Sequence, residues 1–276
     1  MIKDVMVRLD GSAADDVRLV AVDSIADTFG SHIIGIYVNV LPFLVPIDDS
    51  PVSAIHFTEL QEQARKAGDQ IRKLLVERLA RLQKPTEIRR FDVFSDAVSE
   101  TVVREARAAD VFVALRPNGA PQEAEQLVES VLFGAGRHVF LVPERKPGKF
   151  SLDRALVAWN GSRESARALA EALPYLHKAG TVMVTIVVDE DETELQAVKG
   201  KDAVAHLKHH RINAVLHRIK NRNGDVGETL IAEAKRRDAD LIVMGAYGHS
   251  RLREWLLGGA TYKLLHGSPI PLLVAH

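Results

Sequence analysis

The residues best placed to do chemistry in this chain are glycines. Positions 244 to 261 read Met244-Gly245-Ala-Tyr-Gly248-His-Ser-Arg-Leu-Arg-Glu-Trp-Leu-Leu-Gly258-Gly259-Ala260-Thr261. Glycine accepts positive φ and lets backbone approach a ligand closely, so Gly245 and Gly248 suit a loop that wraps an anion. Gly258 and Gly259 stand before a helical pattern at Ala260–Leu265, whose free amides and positive dipole end suit a phosphate. The chemistry on offer is a phosphate cradle built chiefly from backbone N–H groups. Glycines in such a loop also read as a turn and a helix cap. Four of them after one strand favour the cradle.

Other candidates are weaker. His249 and Ser250 fall where a terminal phosphate would lie, and His249 has the donor for it; as a solvated loop residue it needs no role. His206, His209 and His210 sit on a basic helix with His217 nearby, and His206 and His210 are four apart, the spacing of a metal pair. No carboxylate accompanies them in a recognisable pattern, so a solvated helix face is expected and no metal site. Trp255, Leu256 and Tyr262 lie at helical spacing around the glycines and read as core or dimer packing. The chain has no G-x-x-x-x-G-K-[ST] loop, G-x-G-x-x-G fingerprint, G-x-S-x-G elbow or H-E-x-x-H helix. No catalytic residue is expected.

The elements that must position these residues occur twice. Ile2-Lys-Asp-Val-Met-Val-Arg-Leu-Asp-Gly-Ser12 is echoed by Leu152-Asp-Arg-Ala-Leu-Val-Ala-Trp-Asn-Gly-Ser162, shifted by 150. His32–Val38 faces Val182–Val188 at the same shift. Ala109–Leu115 faces Ala239–Gly245, and Val139–Val142 faces Pro271–Val274, at shifts of about 130. The second copy is therefore shorter by about 20 residues between its second and third strands. The expected site of that difference is the Pro-rich stretch Leu41–Phe57. Glu59–Arg81 reads as an amphipathic helix with Leu60, Ile71, Leu74, Leu75, Val76 and Leu79 as its buried stripe. Two domains are expected, 1–145 and 151–276, joined at the charged Pro/Gly stretch Glu144–Lys149.

In the second copy, short β-branched runs at Arg154–Trp159, Thr181–Val188, Asn213–Ile219, Ala239–Gly245 and Ile270–Ala275 read as strands. Glu164–Leu176, Lys201–His210, Gly227–Arg237 and Arg251–Leu265 carry helical spacing. Strands apolar on successive positions have both faces covered, which indicates a parallel sheet with helices on both sides. The fold class is α/β: two tandem doubly wound domains, each with a five-stranded parallel sheet. Such sheets bind ligands at the carboxyl ends of the strands, where the strand order reverses. The loops after the first, second and fourth strands are the places to look.

Composition narrows the function. The chain has 276 residues and a net charge of -1, which argues against a broad footprint for nucleic acid or an anionic membrane surface. With no cysteine, disulfides, thiolate metal sites and a Cys nucleophile are excluded. No export signal is legible at Ile2–Leu9, and the apolar run Ile33–Ile47 is interrupted by Asn39, Pro42 and Pro46 and too short to span a bilayer. A cytoplasmic protein is expected.

The spacing G-x2-G-x9-G followed by a small residue, in a βα repeat closing with Ser268-Pro-Ile-Pro-Leu-Leu-Val274, resembles the universal stress proteins. Val7-Arg-Leu-Asp-Gly-Ser12 and Gly224-Asp-Val-Gly-Glu228 resemble that family too. The resemblance implies a bound adenine nucleotide, ATP or ADP with or without Mg2+, in one branch of the family. It assigns the phosphates to Gly245, Gly248, Gly258, Gly259, Ala260 and Thr261 and the nucleoside to Ala158, Asn160 and Val188, with Met244 also counted among the nucleotide-binding residues. Two positions depart from the family pattern. Gly259 replaces a Ser, and Asn160 replaces an Asp; each loss is worth about 1 kcal/mol, or about fivefold in affinity.

The first copy keeps Asp10 but reads Arg116-Pro117-Asn118-Gly119 after its fourth strand and Glu123-Ala-Glu-Gln-Leu-Val-Glu-Ser130 beyond it. Proline has no amide to donate, and three glutamates repel a phosphate. No nucleotide is expected there. The expected function is a stress-response regulator with one nucleotide in its second domain. A stress-response scaffold without nucleotide and a slow ATP hydrolase are the alternatives. A homo-oligomer is expected through sheet-edge pairing, with Pro271–Ala275 as the pairing edge.

Overall fold

The computed structural model describes residues 1–43, 51–117, 123–143, 150–188, 194–221, 224–246 and 259–276. The first half contains β1 (Asp4–Leu9), α1 (Ala14–Phe29), β2 (His32–Val40), α2 (Pro51–Ala80), β3 (Thr86–Val93), a 3-10 turn (Ser95–Ala97), α3 (Val98–Ala106), β4 (Val111–Leu115), α4 (Glu123–Gly134) and β5 (His138–Val142). The second contains β6 (Arg154–Ala158), α5 (Arg163–Leu176), β7 (Thr181–Val188), α6 (Glu194–His209), β8 (Ala214–Lys220), α7 (Val226–Arg236), β9 (Leu241–Gly245), α8 (Gly259–Gly267) and β10 (Leu272–Ala275).

Alternation along the strands sets the layers. Val5, Val7 and Leu9 of β1 bury toward one face of the sheet, with Leu19, Leu75, Leu169 and Leu207 of α1, α2, α5 and α6. Met6 and Leu156 bury toward the other, with Val102, Val128, Leu230 and Leu264 of α3, α4, α7 and α8. Both faces are dry, which is why the strands read as continuous apolar runs.

Each half is a five-stranded parallel sheet, and the two join into one of ten strands in the order β3-β2-β1-β4-β5-β10-β9-β6-β7-β8. The same order is met from either end, and the junction β5–β10 is the antiparallel pairing, Val139 opposite Val274. That corrects the expectation for the last strand. β10 is held between β9 and β5 inside the chain, so its backbone groups are taken and it is no free edge; the edges are β3 and β8.

The seam between the halves is also tied by side chains. His138, at the start of β5, is 1% exposed; its Nδ1 lies 3.0 Å from Glu171 and its Nε2 3.1 Å from the Tyr175 hydroxyl, both on α5. Phe29 and Phe140 pack against the Tyr175 ring from the first half. Burial pushes the Tyr175 hydroxyl well above its usual range, so it serves as a neutral donor to the imidazole.

The length difference between the copies lies mainly in a helix. α2 has 30 residues where α6 has 16, so the stretch expected as an irregular insert supplies, at 51–57, the first turns of α2; residues 44–50 lie outside the described ones. The expected stripe on α2 is half right. Leu75 and Leu79 are buried and Ile71 packs beside them. Leu60, Leu74 and Val76 are exposed. The inner face instead runs through Ala64 and Gly68, because Asn39 stands beneath it: a Cβ on Gly68 would come within 2.7 Å of the Asn39 amide. A polar neighbour requires a small residue there, so hydrophobicity alone misplaces the face. α6 also begins earlier than expected, at Glu194 rather than Lys201.

Candidate functional site

In each half the first strand pairs with the second on one side and the fourth on the other. The strand order reverses there, and in sheets of this kind that is where a crevice opens past the strand ends. In the second half this crevice is bounded by the ends of β6, β7 and β9 and by the start of α8.

The β6 end is shaped by a short loop. Asn160 accepts the Ser162 N–H through Oδ1 at 3.0 Å, Gly161 takes φ +74°, and the Ser162 hydroxyl caps α5 by accepting the Ser165 N–H at 3.1 Å. This Asx turn followed by an N-cap orients Asn160 at the mouth of the crevice and uses one lone pair of its amide oxygen. Ala158 stands opposite Met244 of β9 and Thr185 of β7, and its methyl group occupies little of the space above.

Gly245 closes β9. Its glycine has a packing reason: a Cβ there would lie 2.4 to 2.6 Å from the backbone of Glu164 and Ser165. The first turn of α5 is thus seated directly on the strand end. Positive φ, the sequence-based rationale for Gly245, is not what the position uses, since the positive-φ glycines among the described residues are Gly11, Gly30, Gly136, Gly161 and Gly224. Gly259 differs. It opens α8, and among the described residues a Cβ there meets nothing within 4 Å. Ala260 and Thr261 follow in the first turn. That turn is fixed from behind by α7, where Gly227 allows close approach: its Cβ would come within 2.7 Å of Lys263 Cβ and 3.0 Å of the Ala260 carbonyl. Lys263 then reaches Glu228 at 3.3 Å. Gly248, His249, Ser250, Trp255, Leu256 and Gly258 lie outside the described residues. Tyr262 is exposed and stacks on His266 with centroids 4.0 Å apart, so it is neither core nor cradle.

The first half fills the same place with charge. The Asp15 carboxylate, fully buried, accepts the N–H groups of Asp10 at 3.2 Å and Gly11 at 2.8 Å. Arg18 bridges Asp10 and Asp15 at 2.9 and 2.7 Å, and Arg78 of α2 donates to the Ser12 carbonyl at 2.8 Å. Burial works against the Asp10 carboxylate, but hydrogen bonds from Ser12 and the charge of Arg18 outweigh it and hold the group down to about 2. For Asp15, burial and the neighbouring Asp10 charge prevail and push it up. At the 150-residue offset, Arg8, Asp15 and Arg18 correspond to Ala158, Ser165 and Ala168. One loop is filled by its own charged side chains, and the other carries alanine and serine at the matching positions.

Residues 151–276 match the family model for the universal stress protein family. The second half is a universal stress protein domain. The fold of the whole chain is similar to that of a universal stress protein from Archaeoglobus fulgidus, with 17% identity, a TM-score of 0.70, and 99% of this chain covering 95% of that one. A putative universal stress protein from Pseudomonas aeruginosa is similar at 15% identity and a TM-score of 0.60, with 99% and 93% covered. No curated protein matches the sequence. These likenesses extend the fold of the tandem form over both halves of the chain.

Within the universal stress protein domain, the β7 backbone that faces the crevice lies one residue earlier than the Val188 expected from the sequence. In a parallel strand, successive residues turn their N–H and C=O groups to the two neighbours alternately. The Thr185 carbonyl accepts from Trp159 of the β6 side at 2.9 Å, and the Val188 carbonyl accepts from Asn221 of the β8 side at 2.8 Å. Val187 is therefore the residue turned toward β6, whose last residue, Ala158, stands opposite Thr185. The backbone groups open to the crevice belong to Val187, and those of Val188 are turned away from it. The period of two is visible in the sequence, but its phase needs the partner strand. Among the described residues, no helix is long and apolar enough to cross a membrane.

Proposed function

We propose that the second half binds one adenine nucleotide, ATP or ADP, and that the first half binds none. The observation that carries the reading is the contrast at the two switch points: Ser165 and Ala168 stand where Asp15 and Arg18 tie up the loop of the first half, and Ala158 stands where the first half has Arg8. In this reading Ala158, Asn160 and Val187 hold the nucleoside, through the Asn160 amide and the Val187 backbone. Met244 and Gly245 line the strand end. The amides of Gly248, Gly258, Gly259, Ala260 and Thr261 receive the phosphates, and among the described residues nothing stands within 4 Å of where a Gly259 side chain would begin. A magnesium ion carried by the phosphates would be the nucleotide's own counter-ion.

The role that follows is regulatory, and the two halves are separate domains with different parts in it. The second senses nucleotide, and the first supports it through the β5–β10 seam. Nucleotide bound at the end of β9 would change the surface seen by a partner or a second copy. A stress-response scaffold without nucleotide is favoured by one observation, that Gly245 is required for packing whether or not a ligand is present. Calorimetry with Mg-ATP on the wild type and on Gly248→Glu separates the two. Micromolar binding lost in the variant supports the nucleotide site. No binding to the folded wild type at millimolar ATP leaves the scaffold.

A further inference from the structure

The C-terminal ends of α5 and α6 meet on the surface, away from the crevice, and three histidines stand there. His206 and His210 lie one turn apart, with ring centroids 4.7 Å apart and planes at 68°. His177, the C-cap residue of α5, faces His210 from the neighbouring helix with centroids 6.3 Å apart and planes at 75°. The helical pair is visible in the sequence; the third ring is 29 residues earlier and is brought in only by the fold.

We propose that His177, His206 and His210 form a binding site for a borderline divalent transition-metal ion such as Zn2+ or Ni2+, closed across the ends of α5 and α6. A metal–imidazole bond of about 2.0–2.1 Å puts each ring centroid about 3.2 Å from the metal, so two tetrahedral ligands have centroids about 5 Å apart. The His206–His210 pair already meets this. Among the described residues no group of three or more His, Cys, Asp or Glu side chains could hold a metal ion as they stand, so the site forms only once the His177 ring turns from its 6.3 Å separation toward the pair. It is exposed and at a helix end, where a side-chain rotation is free to do so. Two helix C-termini converge on the spot, and their partial negative charge favours a cation. Lys178, Lys208 and Arg211 flank it in the chain and oppose that charge. The ion is therefore held by imidazole lone pairs rather than by net charge, which selects Zn2+ or Ni2+ over Mg2+ or Ca2+.

The test is calorimetric titration of the chelator-treated full chain with Zn2+ and Ni2+. The wild type should bind one ion with micromolar affinity at this site, and Mg2+ in place of Zn2+ should show no binding. His206→Ala and His210→Ala should each weaken Zn2+ binding by about a hundredfold, and His177→Ala by about tenfold, on the scale of losing one metal-supporting group. His209→Ala, off the shared face, should leave affinity unchanged. All four positions are solvent-facing or half-buried, so circular dichroism should report unchanged folding. Unaltered affinity in His177→Ala would overturn the inter-helix site and leave a simple helical pair. A tight site that survives the double change at 206 and 210 would place the metal elsewhere. No heat and no bound metal at a protein concentration about 100-fold above a micromolar dissociation constant would remove the site.

Discussion

The loops after β1 and β6 share a backbone and differ in what fills them. Both follow the first strand of a five-stranded unit, and both contain a glycine at positive φ, Gly11 at +85° and Gly161 at +74°. Both also hold a serine N–H on the side chain two residues before it. In the first, the buried Asp15 and the guanidinium of Arg18 satisfy the loop internally. In the second, a serine hydroxyl caps the helix, and alanines stand where the first half has Arg8 and Arg18. A fold can therefore keep its loop geometry while losing or keeping the space for a ligand, and side-chain volume decides which.

The most direct way to break this contrast is to move the plug. Ala158→Arg in the second half should lower ATP affinity by more than about a hundredfold with little loss of stability, because the residue is only partly buried. The reading is calorimetry beside a urea melt, and retained affinity would show that the space over Ala158 is not used.

The two described glycines of the motif should differ sharply when each is changed to alanine. Gly245→Ala forces a methyl group into the Glu164–Ser165 backbone and should cost about 3 kcal/mol, measured as a drop in the urea midpoint. Gly259→Ala meets open space and should leave stability within about 0.5 kcal/mol. Equal costs would mean that α5 is not seated on the β9 end.

A smaller effect is expected at the seam. Tyr175→Phe removes the donor to a buried imidazole and should cost about 1–2 kcal/mol in the same urea melt. No change would mean that the hydroxyl does not bond His138. The smallest effect concerns Asp10, whose folded carboxyl is held to about 2 against an ordinary 3.8. A lowered folded value contributes stability above the unfolded value and loses it as pH falls through the folded one. Asp10→Asn should therefore be less stable than the wild type at neutral pH, and the gap should close between about pH 4 and pH 2. A gap that persists at pH 2 would assign the difference to hydrogen bonding and not to charge.

Much of the architecture is legible in the sequence because it is written in hydrophobic periodicity and twice over. Thr181–Val188 reads as a strand and is one to the residue, since its ends are set by Gly180 and the acidic run beyond it. What the sequence hides is set by contacts. The inner face of α2 depends on Asn39 of another element, and the phase of Val187 depends on which neighbour Val188 faces. β10 looks like an edge because its antiparallel partner β5 is about 130 residues away. At the site, the glycines are legible as a set, but not that one answers to packing and another to open space. The plug in the first half escapes a reading of the sequence because Arg8, Asp15 and Arg18 read separately as a strand end and a helix surface.

The central claim is one nucleotide per chain, in the second half. Equilibrium dialysis of the full chain against Mg-ATP measures it directly. Saturation at one ATP per chain, abolished by Ala158→Arg and unaffected by Asp10→Asn, is the predicted result. Saturation at two would contradict it, since the Arg18-bridged loop of the first half would then have to hold a nucleotide as well.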